Sequence, residues 1–258
     1  MGISGKTAVV TGAAQGIGAA VAGLLGEQGA IVAAVDANRA ALETAVAELT
    51  DREVKATAHV ADVSDSATVE AVVDEVEQHS GPIDILVNVA GVLHPGAVVE
   101  LDDESWHRTF AVNTTGVFNL CRAVSRRMIP RQRGAIVTVG SNSAGVPRQG
   151  MAAYGASKAA ATLLTKSLGL ELAEHNIRCN VVSPGSTDTD MQRSLWTGDD
   201  GAQQTIAGSP ETYKVGIPLR KLATPDDIAE AVVFLVSERA GHITMHDLYV
   251  DGGATLRA

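Results

Sequence analysis

The segment GMAAYGASKAA (150–160) contains two residues of types that can move a proton, Tyr154 and Lys158. Residues four apart on a helix share one face, so the two side chains would be neighbours. A free phenol titrates near pH ~10, too high for a base at neutral pH. An ammonium ~5 Å away, at an effective dielectric of ~20, would favour the phenolate by about 3 kcal/mol, or roughly two pKa units. A further positive charge beside the phenol would add to this and bring the pKa near ~7–8. The pair predicts a general base, although taken alone it is more typical of a surface lysine beside an interfacial tyrosine.

A second candidate site lies near the N-terminus, where TAVVTGAAQGIGAAVAGLL places Gly12, Gly16 and Gly18 between an apolar strand and a helix. Glycines there permit a turn, bring backbone N–H groups close to a pyrophosphate and let the helix pack on the strand. The spacing is GxxxGxG and not GxGxxG, so the cluster alone is weak evidence. Gln15 and Ile17, within the same loop, are expected to contact the same ligand.

Asp36 ends the next apolar run, AIVAAVD, 24 residues after Gly12. A carboxylate at this place can hold both ribose hydroxyls of a dinucleotide and repel a 2′-phosphate. The alternative is that Asp36 caps the helix predicted at 38–50. Because Ala37 and not arginine follows, the sequence favours NAD over NADP.

Short apolar runs alternate with amphipathic stretches along the whole chain, which predicts βαβ units and a doubly wound parallel sheet with helices on both faces. We expect one Rossmann-like α/β domain over 1–258, with about seven strands. The strands are predicted at 7–11, 30–36, 54–60, 83–88, 134–140, 177–183 and 247–251, and the helices at 16–28, 38–50, 65–79, 102–130, 152–175 and 225–237.

The segment 184–224 breaks this alternation, since it carries several glycines, the acidic run GDDG and the large side chains of Met191 and Trp196. A long irregular insertion in a regular fold is more often a binding loop than a defect. We predict a lid near 186–216.

Composition excludes several classes of protein. The net charge of −10 and the lack of a basic run argue against nucleic acid or an anionic membrane as partner. Cys121 and Cys179 show no metal-ligand spacing, so we expect no metal and two free thiols. Without a signal-peptide pattern or a long apolar span, the sequence favours a soluble cytoplasmic protein.

Six motifs together resemble the short-chain dehydrogenase/reductase family: TGxxxGxG, NVAG (88–91), Asn113, Ser141, Tyr154-x-x-x-Lys158 and SPG (183–185). Their order and spacing match the family over essentially the whole chain. Val89 stands where the family usually has a second asparagine, and we expect little effect from it.

The resemblance implies a catalytic tetrad. Tyr154 would be the acid/base, and Lys158 would assist it and bind the nicotinamide ribose. Ser141 would hold the reacting oxygen, and Asn113 would support a water linking Lys158 to solvent. In isolation, Ser141 could be a loop cap and Asn113 could satisfy a helix kink.

The resemblance also implies an NAD site. Asp62 would touch the adenine with Val63 packed on it, the NVAG segment would line the adenosine, and the SPG segment and residues after it would meet the nicotinamide. The further residues expected in these contacts are Asn88, Ala90, Gly91, Pro184, Gly185, Thr187 and Thr189.

Arg148, six residues before Tyr154, is of the type that binds a substrate carboxylate through two hydrogen bonds, unless it is a solvated loop arginine. Gln149 and Met151 could contact a ring, and Met191, Gln192 and Trp196 could close over it or pack the lid on the core. Several segments resemble a branch of the family that oxidises a dihydroxycyclohexadiene carboxylic acid to the catechol acid of siderophores. This small carboxylate is the expected substrate.

Three alternatives remain open at this stage: an aminated analogue of that acid as substrate, a generic 3-oxoacyl-carrier-protein reductase, and a non-catalytic NAD-binding regulator. Helices 102–130 and 152–175 are rich in Ala, Leu and Val on more than one face, which favours burial against another subunit. Together with the resemblance, this predicts a homotetramer, with a dimer as the alternative.

Overall fold

The computed structural model describes residues 2–256, so Met1, Arg257 and Ala258 of the predicted domain lie outside the described residues. Seven parallel strands form one sheet in the order β3-β2-β1-β4-β5-β6-β9, and two short strands form a separate antiparallel pair. The strands are β1 Thr7–Thr11, β2 Ile31–Asp36, β3 Ala56–Val60, β4 Ile83–Asn88, β5 Gly134–Val139, β6 Ile177–Pro184, β7 Gly208–Ser209, β8 Lys214–Val215 and β9 Asp247–Val250.

Six long helices cover the two faces of the sheet, which makes the fold doubly wound as predicted. One core contains apolar side chains of α1, α2 and α9, and the other contains those of α3, α5 and α6. The α-helices are α1 Gly16–Glu27, α2 Arg39–Asp51, α3 Ser66–His79, α4 Asp103–Phe110, α5 Val117–Met128, α6 Ala152–Leu172, α7 Asp190–Arg193, α8 Gly201–Ala207 and α9 Pro225–Val236.

The strand order reverses beside β1, since β2 lies on one side of it and β4 on the other. In an open parallel sheet, such a reversal leaves a crevice beyond the carboxyl ends of the strands, where ligands bind. This crevice receives the loops after β1, β4, β5 and β6.

All seven predicted strands of the main sheet are present, with ends shifted by at most two residues. The helix predicted at 102–130 is present, but it is not one regular α-helix, because a π-helix, Ala111–Gly116, lies between α4 and α5. Asn113 lies in this segment with its side chain bonded to a neighbouring loop, and such single π turns are common at functional sites. The predicted lid contains α7, α8 and the β7–β8 hairpin.

Both cysteines are free, as predicted, and both are buried. Burial raises the pKa of the Cys121 thiol to about 12 and raises that of Cys179 as well, so neither is reactive at neutral pH. Within residues 2–256, no helix is long and apolar enough to cross a membrane.

Candidate active site

A cavity of about 360 Å³ opens at the carboxyl edge of the sheet. The glycine-rich loop and Asp36 lie on its wall, and so do Tyr154 and Lys158, more than a hundred residues later in the chain. The two candidate sites of the sequence therefore belong to one crevice.

The glycine loop leaves room for a ligand's phosphates. Gly12 has a φ of +66°, and a Cβ there would lie 2.8 Å from the backbone nitrogen of Ala90, so another residue would disturb the turn. A Cβ on Gly18 would collide with the Gly12 carbonyl oxygen, so Gly18 lets α1 pack against the loop. Helix α1 has no side-chain cap and no acid in its first turn, so its N-terminal N–H groups and dipole can receive an anion.

Asp36 ties the end of β2 to this loop. Its carboxylate accepts hydrogen bonds from the backbone N–H of Ala14 at 3.2 Å and of Asn38 at 2.9 Å. The N-cap of α2 is Asn38, which accepts from the N–H of Ala41, so Asp36 is not the helix cap. Asp36 remains on the cavity wall, where the ribose of a dinucleotide would meet it.

Close packing brings Ser141 to Tyr154. Ser141 follows β5 and starts a short 3-10 turn by accepting a hydrogen bond from the N–H of Ser143 at 3.1 Å. Helix α6 lies directly on this turn, since a Cβ on Gly155 would be 3.0 Å from the Ser143 carbonyl oxygen. The small residues around Tyr154 thus allow the turn after β5 to pack closely on α6. Ser141, in this turn, forms a hydrogen bond with the phenol of Tyr154.

Lys158 lies one turn after Tyr154, with its side chain buried in the crevice. Its ammonium donates to the Val139 carbonyl at 2.9 Å and lies 5.9 Å from the centroid of the tyrosine ring. Burial lowers the pKa of Lys158 to about 8. The side chain is therefore mainly protonated at neutral pH, but titrates just above it.

The pKa of Tyr154 differs from the sequence prediction. Burial raises it above the ordinary value, and the hydrogen bond with Ser141 opposes this only in part. The prediction that Lys158 brings this pKa about two units below its ordinary value is wrong as far as the protein's own groups are concerned, because burial disfavours the phenolate. A further positive charge beside the phenol would favour the phenolate.

Asn113 is fully buried beside the tyrosine–lysine pair and braces the loop after β4. Its side chain accepts from the N–H of Val92 at 2.8 Å and donates to the Val92 carbonyl at 2.9 Å and the Ser157 hydroxyl at 3.0 Å. A Cβ on Gly91 would lie 3.3 Å from Asn113 Oδ1 and 3.4 Å from Lys158 Nζ. Asn113 therefore sets the position of backbone next to Lys158, and its predicted support of a water stays a prediction.

At another part of the wall, Asp62 accepts hydrogen bonds from the N–H and hydroxyl of Ser64 and from Arg108 at 2.8 Å. Burial raises the pKa of Asp62, but these bonds outweigh it, so the pKa lies below its usual value. Val63 is buried beneath the same wall, against Gly116. Both residues line the cavity, and their predicted contacts with an adenine stay predictions.

The segment after β6 borders the other side of the crevice. Gly185 lies tight against Asp251, since a Cβ there would be 2.6 Å from the aspartate Cβ. Thr189 caps α7 by accepting from the N–H of Gln192 at 3.3 Å, which turns the first residues of the lid along the cavity. The cavity is lined here by Pro184, Gly185, Thr187, Thr189, Met191 and Gln192, and their predicted contacts with nicotinamide and substrate stay predictions.

Arg148 is half-buried on the cavity wall, and Met151 follows it at the start of α6. Burial lowers the pKa of Arg148, and the nearby charge of Asp251 opposes this. Among residues 2–256, no carboxylate lies within ion-pair distance of this guanidinium, although Asp251 acts on it at longer range. An arginine in this state can bind the carboxylate of a ligand.

Comparison with known proteins agrees with this geometry. The short-chain dehydrogenase/reductase model described as enoyl-(acyl carrier protein) reductase matches residues 12–255. The chain belongs to the short-chain dehydrogenase/reductase family. Members of this family bind a nicotinamide dinucleotide, and the glycine loop, Asp36 and the bare N-terminus of α1 fit that group.

Two relatives carry the same name, 2,3-dihydro-2,3-dihydroxybenzoate dehydrogenase. The protein of Bacillus subtilis (strain 168) is 63% identical over 255 residues, which covers 99% of this chain and 98% of the relative. The protein of Escherichia coli (strain K12) is 48% identical over 258 residues and the whole of both chains. A solved structure, a gluconate 5-dehydrogenase from Burkholderia cenocepacia J2315 in complex with NADP and tartrate, is 32% identical with a TM-score of 0.90, covering 99% of this chain and 97% of that one.

Not every residue that the family resemblance suggested lies on the wall. Asn88 is buried and donates to Thr138 and Cys121, which joins β4 to its neighbours. Gln149 is exposed, and Trp196 packs against Gly201 within the lid. Asn113 also lies behind the wall, as described above. The roles of all these residues remain predictions.

Among the side chains on the wall of this short-chain dehydrogenase/reductase that had no predicted role are Leu93, Arg108, Leu195 and Lys214. Lys214 lies in the lid segment, and a cation in a lid over an anionic substrate is a signal that the sequence offered. Arg108 had no such signal, because only the fold brings α4 against Asp62.

Proposed function

We propose that this protein oxidises 2,3-dihydro-2,3-dihydroxybenzoate to 2,3-dihydroxybenzoate, with NAD⁺ as the electron acceptor. The observation that carries the proposal is the half-buried Arg148 on the wall of the cavity that also contains Tyr154, Lys158 and Ser141. A substrate with a carboxylate and a ring hydroxyl could bind Arg148 through the carboxylate and Tyr154 and Ser141 through the hydroxyl. The chain is 63% and 48% identical, over nearly its full length, to two proteins named 2,3-dihydro-2,3-dihydroxybenzoate dehydrogenase, which supports the same substrate.

The protein's own groups handle the proton. Tyr154 takes the proton of the ring hydroxyl, and Ser141 holds the same oxygen by a hydrogen bond. A bound nicotinamide, held by the glycine loop and Asp36, would supply the hydride acceptor for the carbon that bears this hydroxyl. Lys158 keeps a positive charge beside the phenolate as long as its own pKa, about 8, is not exceeded.

The oxidised ring then completes the reaction by itself. Loss of the hydride and the hydroxyl proton gives a ketone, and a proton moves from the adjacent ring carbon to the ketone oxygen to give the catechol. Because aromatisation makes the oxidation effectively one-way, the protein has to position the substrate and remove one proton.

NAD⁺ is proposed in preference to NADP⁺ because Asp36 faces the cavity with Ala37 behind it. The nearby Arg39 extends to solvent and pairs with Glu43 on its own helix, so it is not placed to receive a 2′-phosphate. The gluconate 5-dehydrogenase that holds NADP makes a direct comparison of the two cofactors necessary.

We propose a homotetramer formed through helices α5 and α6. Leu163 and Leu170, seven residues apart on one face of α6, are 67% and 69% exposed, and Phe118 on α5 is 41% exposed. Such side chains on neighbouring helices would be buried by a second copy. Two unpaired thiols and the need for NAD⁺ support a cytoplasmic location.

The test of function follows NADH formation with the dihydroxy acid, with its 2-amino analogue and with each cofactor. We expect the highest kcat/KM for the dihydroxy acid with NAD⁺, and a catechol product. Preference for the amino analogue, or for NADP⁺, would contradict the corresponding part of the proposal.

A further inference from the structure

Lys214 lines the same cavity as Arg148, but it comes from the lid, 66 residues later in the chain. It lies in β8, which pairs with β7 so that Lys214 faces Ser209. The family motifs give this lysine no role.

The hairpin turns Lys214 toward the cavity and its neighbours away from it. Tyr213 is 90% exposed and Val215 is 50% exposed, whereas Lys214 between them is half-buried. In an ordinary hairpin the lysine would be in water and the apolar residues would be inside. The inverted arrangement indicates that the lysine is directed at something in the cavity.

The two strands of the hairpin approach each other closely at Gly208. Gly208 has a φ of +82°, and a Cβ there would lie 2.5 Å from the Lys214 carbonyl oxygen and from the backbone nitrogen of Gly216. A glycine is therefore needed at position 208, opposite Val215, for the two strands to approach. This close pairing fixes the direction of the lysine.

Lys214 has no anionic partner in the part of the chain that the structure describes. Of the acids on the cavity wall, Asp36 and Asp62 are bound by the groups described above, and Asp190 is exposed beside Arg193. Asp251, which acts on Arg148, accepts hydrogen bonds from Gly253, from Thr255 and, at 3.4 Å, from Asn142. The carboxylates near this end of the cavity therefore already have other hydrogen-bond or ion-pair partners.

The positive charges of Lys214 and Arg148 also repel each other across the cavity. Burial, and next the charge of Arg148, hold the pKa of Lys214 below its usual value. Two like charges in one partly buried cavity are unfavourable without an anion between them. A ligand with a negative charge would relieve this cost.

We propose that Lys214 and Arg148 bind the substrate carboxylate together, Arg148 from the loop before α6 and Lys214 from the lid hairpin. This inference rests on the proposed function and names how the acid is recognised. The carboxylate would join the lid to the start of α6, so that acid binding holds the lid over the ring. Lys214 is then a residue that determines specificity for an acid, and it takes no part in proton transfer.

The experiment compares the wild type with Lys214→Gln, Arg148→Gln and the double variant, on the dihydroxy acid and on its neutral carboxamide at saturating NAD⁺. Each single substitution should lower kcat/KM for the acid by about 10- to 100-fold, mainly through KM, because a hydrogen bond to a charged group is lost. The carboxamide should change by less than about threefold. If the two cations share one carboxylate, the loss in the double variant differs from the product of the single losses.

Lys221→Gln is the matched control, since it removes the same charge from an exposed site beyond the hairpin. It should leave the preference for the acid unchanged. A Lys214→Gln enzyme that keeps the wild-type preference for acid over carboxamide would overturn the inference. A higher KM for NAD⁺ with an unchanged KM for the acid would overturn it too, because Lys214 would then serve the cofactor.

A binding measurement separates this inference from the proposed function. Calorimetric titration with 2,3-dihydroxybenzoate and with catechol requires no turnover. We expect wild type to bind the acid more tightly than catechol, and Lys214→Gln to lose about 10-fold or more of that difference. An inactive wild type that still shows this pattern would contradict only the proposed function, whereas equal losses for acid and catechol would contradict only the role of Lys214.

Discussion

Lys158 carries a charge that the protein buries at a cost. Its ammonium has one hydrogen bond, to the Val139 carbonyl, and its pKa falls from 10.5 to about 8. Below pH 8 the folded protein holds the ammonium away from water, and this costs about 3 kcal/mol relative to the unfolded chain. Between pH 8 and 10.5 the folded protein has lost the proton while the unfolded chain keeps it, so the cost falls as pH rises.

Lys158→Met should therefore make the cofactor-free protein more stable than wild type at pH 7, while abolishing activity. The advantage should shrink by about 2 kcal/mol between pH 7 and pH 9.5. Urea unfolding at the two pH values measures the change, and Lys221→Met is the exposed control. An advantage that does not vary with pH would contradict a buried ammonium.

Burial shifts the pKa of Tyr154 in the opposite direction from that of Lys158, upward, and so favours the protonated phenol. Tyr154→Phe removes the proton acceptor but keeps the ring, so kcat should fall by at least about 100-fold. NAD⁺ affinity, measured by calorimetry, should change little. The exposed Tyr213→Phe is the control and should retain full turnover, whereas an active Tyr154→Phe would exclude this tyrosine as the base.

At the scale of elements, catalysis depends on how closely α6 packs on the turn after β5. Helix α6 carries Tyr154 and Lys158, and the turn carries Ser141. Gly155 lies between the two elements. Even a Cβ at this position would be in tight contact with Ser143, so no larger side chain fits. The distance between the phenol and the serine is therefore set by a residue that takes no part in the chemistry.

Gly155→Val should move the turn away from α6 and lower kcat by about 10- to 100-fold, because a displacement of about 1 Å in a reacting group has this effect. Ala156→Val is the control, since Ala156 is exposed on the same helix turn. Kinetics and thermal unfolding of both variants distinguish misplacement from unfolding. Normal turnover by Gly155→Val would show that the contact is not needed.

For the whole molecule, the question is what covers the apolar side chains of α5 and α6. Replacing both Leu163 and Leu170 by lysine should convert a tetramer to smaller species, because four buried charges of like sign meet around each pair of helices. Sedimentation velocity at micromolar concentration measures this. Thr44→Lys with Glu48→Lys, on the exposed face of α2, is the control, and a wild type that sediments as a monomer would contradict the tetramer.

Local patterns in the sequence were sufficient for the fold class and for much of the site. Strands such as Thr7–Thr11 and Ile83–Asn88 were predicted to the residue, because runs of apolar side chains between glycine or polar turns have few other uses in a parallel sheet. The Tyr154–Lys158 pair and the glycine loop were equally visible, because their functions depend on spacing along one helix or one turn.

Tertiary contacts determined what spacing cannot express. The π-helix around Asn113 coincides with a hydrogen bond between its side chain and the loop after β4, 21 residues earlier. The pKa of Tyr154 is raised by burial, which is a property of the packed crevice. Lys214 reaches the cavity of Arg148 only through the pairing of β7 with β8 in the lid. Electrostatic interactions of this kind depend on distances that arise when the chain has folded.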